Sequence, residues 1–97
     1  MTNFAELIRI ERAKQRLLLR EVAVKLEIDQ AVISKFERNE RKPTKEQVLK
    51  FAKFYNLDEE TLLIEWLSDK VANDLQEEHL AYKVLEAARQ KIKNDKK

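Results

Sequence analysis

The residues of this chain best suited to bind a macromolecule lie between Gln30 and Arg38. If this segment is helical, Ile33 and Phe36 point inward, and the opposite face is polar or basic and free of acids. A glutamine amide bonds adenine through two hydrogen bonds, a lysine donates to guanine, and an alanine methyl contacts a thymine methyl. The face therefore has the chemistry to bind base edges in a major groove, and the alternative is a solvated helix surface. Its residues are Gln30, Ala31, Ser34, Lys35 and Arg38.

A helix with this face needs a second helix to hold it. Periodicity predicts helices over about 19–26 and 30–38, joined by a three-residue turn, with Asp29 as the N-cap of the second helix. A nearly perpendicular crossing needs a small residue at the closest approach, and Ala23 provides it. The crossing also needs apolar residues, which are present at Val22, Leu26, Ile28, Ile33 and Phe36. The segment is therefore predicted to be a helix-turn-helix.

The rest of the chain is predicted to be helical as well. It contains no glycine and one proline, so hairpin turns that need positive φ would be hard to build, and we expect an all-α fold. A first helix is predicted over about 4–15, with an apolar face that includes Ile10. Thr44 and Gln47 form a capping box for a fourth helix, and Asp58 caps a fifth. The expected buried face of the fifth helix is Leu62, Leu63, Trp66 and Leu67.

The pattern weakens after Asp69, where Asn73 and Asp74 mark either a turn or a polar helix surface. From about Glu77 onward, apolar residues at four-three-four spacing predict an additional amphipathic helix with a narrow seam. The seam consists of Ala81, Leu85, Ala88 and Ile92, and the basic residues at its end are Lys91, Lys93, Lys96 and Lys97. We therefore divide the chain into a domain at 1–70 and a helical extension at 71–97. The seam packs either on its own domain or on a second copy.

Charge and residue types exclude several classes of function. Residues 1–55 carry 13 basic against 8 acidic side chains, and residues 56–97 carry 7 against 10, so the first part is the candidate nucleic-acid face. The chain has no cysteine, and its one histidine, His79, has no partner at a ligand spacing, so no metal site is expected. Nothing indicates a catalytic site or a cofactor. No apolar run approaches a membrane span, so we expect a cytoplasmic protein without a membrane partner.

The segment from Glu27 to Pro43 resembles the Xre/Cro family of phage-repressor-like regulators, and the resemblance extends over about 7–67. The family pattern is roughly Leu-Gly-Ile-Ser-Gln, then Ile-Ser, then Glu-Arg-Gly and a basic loop with proline. The resemblance implies a five-helix helix-turn-helix domain that binds double-stranded DNA, here with an additional C-terminal helix. It also implies homodimers on pseudo-palindromic operators and a structural ion pair between Arg12 and Glu37.

Three positions depart from the family pattern. Leu18 and Leu19 replace a serine cap and a glutamine that often contacts phosphate, so Arg20 or Arg16 would have to take over that contact. Glu27 replaces the turn glycine and must adopt the left-handed conformation, at a cost of about 1 kcal/mol, or reshape the turn. Asn39 replaces the glycine after the third helix, which is a milder change.

We expect DNA backbone contacts from the basic residues around the base-reading helix and from the N-terminal amides of the fourth helix. These basic residues are Arg20, Arg38, Arg41, Lys42 and Lys45. A dimer contact is favoured for the C-terminal part because operators of the family are two-fold symmetric. Its expected residues are Trp66, Leu67, Leu85, Ala88 and Ile92.

The main functional hypothesis is a transcriptional regulator, and more specifically a repressor. The alternatives are a DNA-binding antitoxin, whose C-terminal part would mask a toxin, and a restriction-modification controller. The sequence does not separate these.

Overall fold

A computed structural model describes residues 3–95, and over this range the chain forms six α-helices and no strand. The all-α prediction is therefore confirmed for the described residues. The helices are α1 (Phe4–Lys14), α2 (Leu19–Leu26), α3 (Gln30–Glu37), α4 (Lys45–Tyr55), α5 (Glu59–Leu75) and α6 (Ala81–Asp95). Helix α5 continues past Asp69, so Asn73 and Asp74 lie on its surface and not in a turn. Lys96 and Lys97, expected at the end of the last helix, lie outside the described residues.

Polar side chains mark most of the helix starts. Thr44 Oγ1 accepts from Gln47 N at 3.2 Å, and Gln47 Oε1 accepts from Thr44 N at 2.9 Å, as the capping box predicted. Asp58 Oδ2 accepts from Thr61 N at 2.9 Å, so the predicted cap of α5 is confirmed as well. At α1 the cap is Asn3, which accepts from Glu6 N. These bonds satisfy amides that have no partner within the helix.

Within residues 3–95, four helices end with a left-handed residue, although the chain has no glycine. In each case the next residue donates its amide to the carbonyl five positions back, which is the Schellman arrangement. These bonds are Leu17 to Arg12, Ile28 to Ala23, Glu40 to Lys35 and Leu57 to Ala52, at 2.9–3.2 Å. The left-handed residues are Arg16, Glu27, Asn39 and Asn56, with φ between 55° and 59°.

The core lies where α1, α3, α4 and α5 meet, around the ring of Phe51. Phe4 and Phe36 contact this ring edge to face, at centroid distances of 5.8 and 6.2 Å, and Tyr55 stacks on it at 6.1 Å. Ile10 is 44% exposed, contrary to the inward orientation expected of it. The fully buried side chains include Ile8, Val22, Ile33, Val48 and Leu62.

Helix α5 makes long-range hydrogen bonds to the start of α1 and to the loop before α4. Asp69 Oδ2 accepts from Phe4 N at 2.9 Å, which gives the first amide of α1 a partner. Trp66 Nε1 donates to Pro43 O at 2.9 Å, and Lys70 Nζ lies 3.9 Å from the indole ring centroid. Trp66 was expected at a dimer contact, but its ring is buried in the core of its own chain, so it is not part of an exposed surface. Leu67 is 51% exposed and so lies outside the buried face expected for α5.

Helix α6 buries none of its side chains. It shares with the second half of α5 an open groove of about 630 Å³, which we call the α5–α6 groove. The groove is lined mainly by Val71, Ala72 and Leu75 from α5 and by Ala81, Tyr82 and Leu85 from α6.

Along residues 3–95, no helix has the length and apolar character needed to cross a membrane.

Candidate nucleic-acid interface

Helix α3 has one buried and one exposed face. Ile33 and Phe36 are 0% and 1% exposed and fix the inner face against the core. Asp29 Oδ1 accepts from Ala31 N at 2.8 Å, which caps the helix at its amino end. The outer face consists of Gln30, Ala31, Lys35 and Arg38, which are exposed, and Ser34, which is partly exposed. The residue types with base-reading chemistry therefore lie on the accessible side of the helix.

The carboxyl end of α3 is anchored by an ion pair. Arg12 Nε and Nη2 donate to the two carboxylate oxygens of Glu37 at 2.8 and 2.9 Å, and Arg12 Nη1 donates to Leu17 O at 2.9 Å. Glu37 is only 6% exposed. The hydrogen bond to Glu37 raises the pKa of the Arg12 guanidinium above its ordinary value, although partial burial acts in the opposite direction. The pair ties α3 to α1 and to the turn that follows α1.

Tyr55 lies close to this ion pair, on the buried face of α4. Its hydroxyl is buried and has no hydrogen-bond partner among the described residues. Burial raises the pKa of the Tyr55 phenol, and the negative charge of Glu37 raises it further. The tyrosine is therefore held in its neutral form beside the carboxylate.

The turn between α2 and α3 keeps three residues despite the missing glycine. Glu27 adopts the left-handed conformation at φ 55° and ψ 43°, so the turn is not reshaped. Lys50 Nζ, from α4, donates to Leu26 O at 3.2 Å and supplies a positive charge at the carboxyl end of α2. Sequence reasoning missed Lys50, because nothing local relates it to a carbonyl 24 positions away.

The loop after α3 carries most of the expected backbone-contacting residues. Arg41, Lys42 and Lys45 are exposed. Lys42 Nζ donates to Asn39 Oδ1 at 2.9 Å, and Arg38 Nε lies 3.1 Å from Glu40 Oε2. Both members of the second pair are more than half exposed, so the pair is weak and a phosphate can compete for Arg38.

At the amino end of α2 the polar groups differ from those the resemblance implied. Leu18 has no side-chain cap to offer, and its amide donates to Glu21 Oε1 at 2.7 Å. A carboxylate therefore occupies the end of the helix where a phosphate-contacting glutamine was implied. Arg20 is exposed and lies beside an apolar groove of about 600 Å³ together with Leu17, Val24 and Phe54.

No group of three or more histidine, cysteine, aspartate or glutamate side chains within residues 3–95 could hold a metal ion. His79 is exposed.

The same arrangement of helices is described by a known protein-family model. A family model described as "Helix-turn-helix" matches residues 8–62, from the middle of α1 to the first turn of α5. The matched segment covers more than half of the chain and contains α2, the three-residue turn and α3. Searches of curated proteins and of solved structures gave no match.

Proposed function

The chain belongs to the Xre/Cro family of helix-turn-helix DNA-binding regulators, and we propose that it is a sequence-specific repressor that binds a pseudo-palindromic operator as a homodimer. The observation that carries this proposal is the exposed, acid-free outer face of α3, which is backed by fully buried residues. A major groove about 12 Å wide admits one helix. The outer face of α3 has the length and the residue types to enter such a groove.

The base-contacting residues in this proposal are Gln30, Ala31, Ser34 and Lys35. Gln30 and Ala31 lie in the first turn of α3, the part of a reading helix that enters deepest into the groove in helix-turn-helix proteins. Lys35 is one turn further along and is exposed. Gln30 would bond adenine, Lys35 would donate to guanine, and Ala31 would contact a thymine methyl.

The backbone contacts come from the loop that follows α3 and from the start of α4. Arg38 exchanges Glu40 for a phosphate, while Arg41, Lys42 and Lys45 supply further positive charge. The free amides at the amino end of α4 point in the direction that favours an anion. Arg20 would contact the backbone from α2. These contacts fix the position of the protein on the duplex without carrying sequence information.

The homodimer is proposed to form through the extension at 71–97 together with Leu67, near the end of the DNA-binding domain at 1–70. Leu67, Leu85 and Ile92 are 51%, 40% and 61% exposed, and Ala88 is exposed between them. Two copies joined at 71–97 would present two reading helices to a two-fold symmetric site. A repressor function then requires only that this site overlaps a promoter.

Selection of duplexes from a random-sequence library tests the proposal. The wild-type protein should enrich a motif with two-fold symmetry. Lys35→Ala should lose preference at one position in each half-site, at a cost of about 1 to 3 kcal/mol on the selected site. Lys83→Ala removes an exposed lysine from α6 and should leave the motif unchanged. Enrichment of no motif by the wild type, or an unchanged motif with Lys35→Ala, would contradict the proposal.

A further inference from the structure

Helix α6 has exposed apolar side chains that take no part in the DNA-binding domain. None of the 15 residues of α6 is buried, although several of them are large and apolar. Tyr82, Val84 and Ile92 are 87%, 43% and 61% exposed. A single helix of this length is marginal in water unless an apolar face is covered. The described part of the chain does not cover this face.

We propose that the occupant is α6 of a second copy, packed antiparallel, with the two-fold axis passing between residues 86 and 87. This inference rests on the proposed homodimer and specifies its interface. In this arrangement each residue faces the one on the other chain that is equally far from the axis. Ala81 then faces the partner's Ile92, and Leu85 faces the partner's Ala88.

The side-chain volumes along the seam favour this direction. In the antiparallel pair, every layer of the seam combines one alanine with one leucine or isoleucine. In a parallel pair, Leu85 would meet Leu85 and Ala88 would meet Ala88, so a crowded layer would alternate with a gap. Protein interiors are close-packed and both overpacking and voids are destabilising, so the antiparallel layers fill the space better.

The charges along α6 favour the same direction. The second half of α6 carries Arg89, Lys91 and Lys93, whereas the segment before α6 carries Glu77 and Glu78. The antiparallel pair brings the second half of α6, which is net basic although it also carries Asp95, towards the turn that holds the two acids in the partner. A parallel pair would align the basic residues with their own copies, and like charges at an interface oppose association.

The area available is consistent with a stable dimer once α5 contributes. A stable interface buries about 800 Å² on each partner, more than one short helix pair supplies. The α5–α6 groove continues the apolar surface onto α5 at Val71, which is 44% exposed. Outside the groove, Leu67 and Ile64 extend this surface at helical spacing and are 51% and 58% exposed. Two copies of α5 and α6 would therefore form a four-helix bundle.

The chain has no cysteine, so disulfide trapping can test the direction of packing directly. Leu85→Cys and Ala88→Cys are prepared as separate proteins, one of them with a size tag. The two proteins are mixed, allowed to exchange subunits, and then oxidised. The antiparallel pair predicts that most of the covalent dimer joins Cys at 85 to Cys at 88, because a disulfide requires Cα atoms about 4.4–6.8 Å apart. A matched control pairs Lys83→Cys with Gln90→Cys, equally far from the axis but on the outer face of α6, and should give little covalent dimer.

Light scattering on the unmodified protein should give twice the 11.6 kDa of the single chain at micromolar concentration. The inference is overturned by a monomer, by disulfides mainly between identical positions, or by no disulfide in the mixed sample. All readouts are made without DNA, so the loss of this interface and the loss of operator binding are distinguishable results. A second protein or a lipid surface as the occupant would appear here as a monomer.

Discussion

Arg12 holds Glu37 through two parallel hydrogen bonds, at 2.8 and 2.9 Å, and so connects α1 to the last residue of α3. The same guanidinium donates to Leu17 O, which fixes the turn between α1 and α2. Because Glu37 is almost fully buried, its charge has little access to water and depends on this single partner. The position of the reading helix therefore depends on a residue in another helix, 25 positions earlier in the chain.

Removal of Arg12 should destabilise the protein strongly. Arg12→Ala leaves a buried carboxylate without a partner, and we expect the free energy of unfolding to fall by about 3 kcal/mol or more. Arg12→Lys should cost less, because it keeps the charge but loses the planar fork. Urea unfolding measures both values. Arg9→Ala, at an exposed position on the same helix, should change stability by less than about 0.5 kcal/mol, and equal stability of the two alanine variants would contradict the assigned role.

Tyr55 should make the protein sensitive to alkali. Its pKa is raised in the folded state, so this contribution to stability is complete below about pH 10, the ordinary pKa of tyrosine, and falls as the pH rises further. Between pH 7 and pH 11, Tyr55→Phe should therefore lose less stability than the wild type. Thermal melts across this range measure the difference. The control Tyr82→Phe removes an exposed phenol and should lose as much stability at high pH as the wild type. If Tyr55→Phe also lost as much stability as the wild type, groups other than Tyr55 would be the cause.

Glu27→Gly should stabilise the protein by up to about 1 kcal/mol. Glycine adopts the left-handed conformation of this turn without a steric penalty, although it also makes the unfolded chain more flexible. Asn56→Gly should give a smaller gain, because asparagine already tolerates that conformation. Both values come from thermal melts, and DNA affinity should hardly change. A loss of stability in Glu27→Gly would mean that the glutamate side chain makes a stabilising contact that outweighs the backbone cost.

Ala23→Leu should disrupt DNA binding through the packing of α2 on α3. Ala23 is partly buried against the core, and the added atoms should cost about 1 to 3 kcal/mol and tilt the reading helix. Val24→Leu, at the next position, enlarges a side chain that is 76% exposed and should be nearly neutral. Melts and titrations with the selected duplex compare the two. Normal affinity and stability in Ala23→Leu would rule out a close approach of the helices at this residue.

Lys42→Ala should weaken binding to specific and random duplexes by the same factor. Phosphate contacts carry affinity but no sequence information, and the slope of log affinity against log salt should fall by about one unit per protomer. Fluorescence anisotropy on both duplexes at several salt concentrations measures this. Lys53→Ala, an exposed lysine near the other end of α4, is the matched control and should keep the wild-type slope. A change in the selected motif with Lys42→Ala would instead assign that residue to base contact.

The sequence by itself determined the features that depend on neighbouring residues. The helix starts at Thr44 and Asp58, the three-residue turn around Glu27 and the buried face of α3 all follow from capping chemistry, backbone sterics and helical period. These interactions join residues at most a few positions apart. A short window of sequence is therefore enough to predict them. The partner of Glu37, by contrast, was implied by a family resemblance and not by any local pattern.

Only the tertiary structure decided which side chains at similar spacing are buried. Trp66 and Leu67 are adjacent on α5, yet Trp66 enters the core and donates to Pro43 O, while Leu67 stays exposed. Asp69 pairs with the amide of Phe4, 65 positions away. The amphipathic pattern of a helix indicates that one face is apolar, but the neighbour that covers it depends on how all the helices pack. This packing depends on contacts between residues far apart in the chain, which no local periodicity encodes.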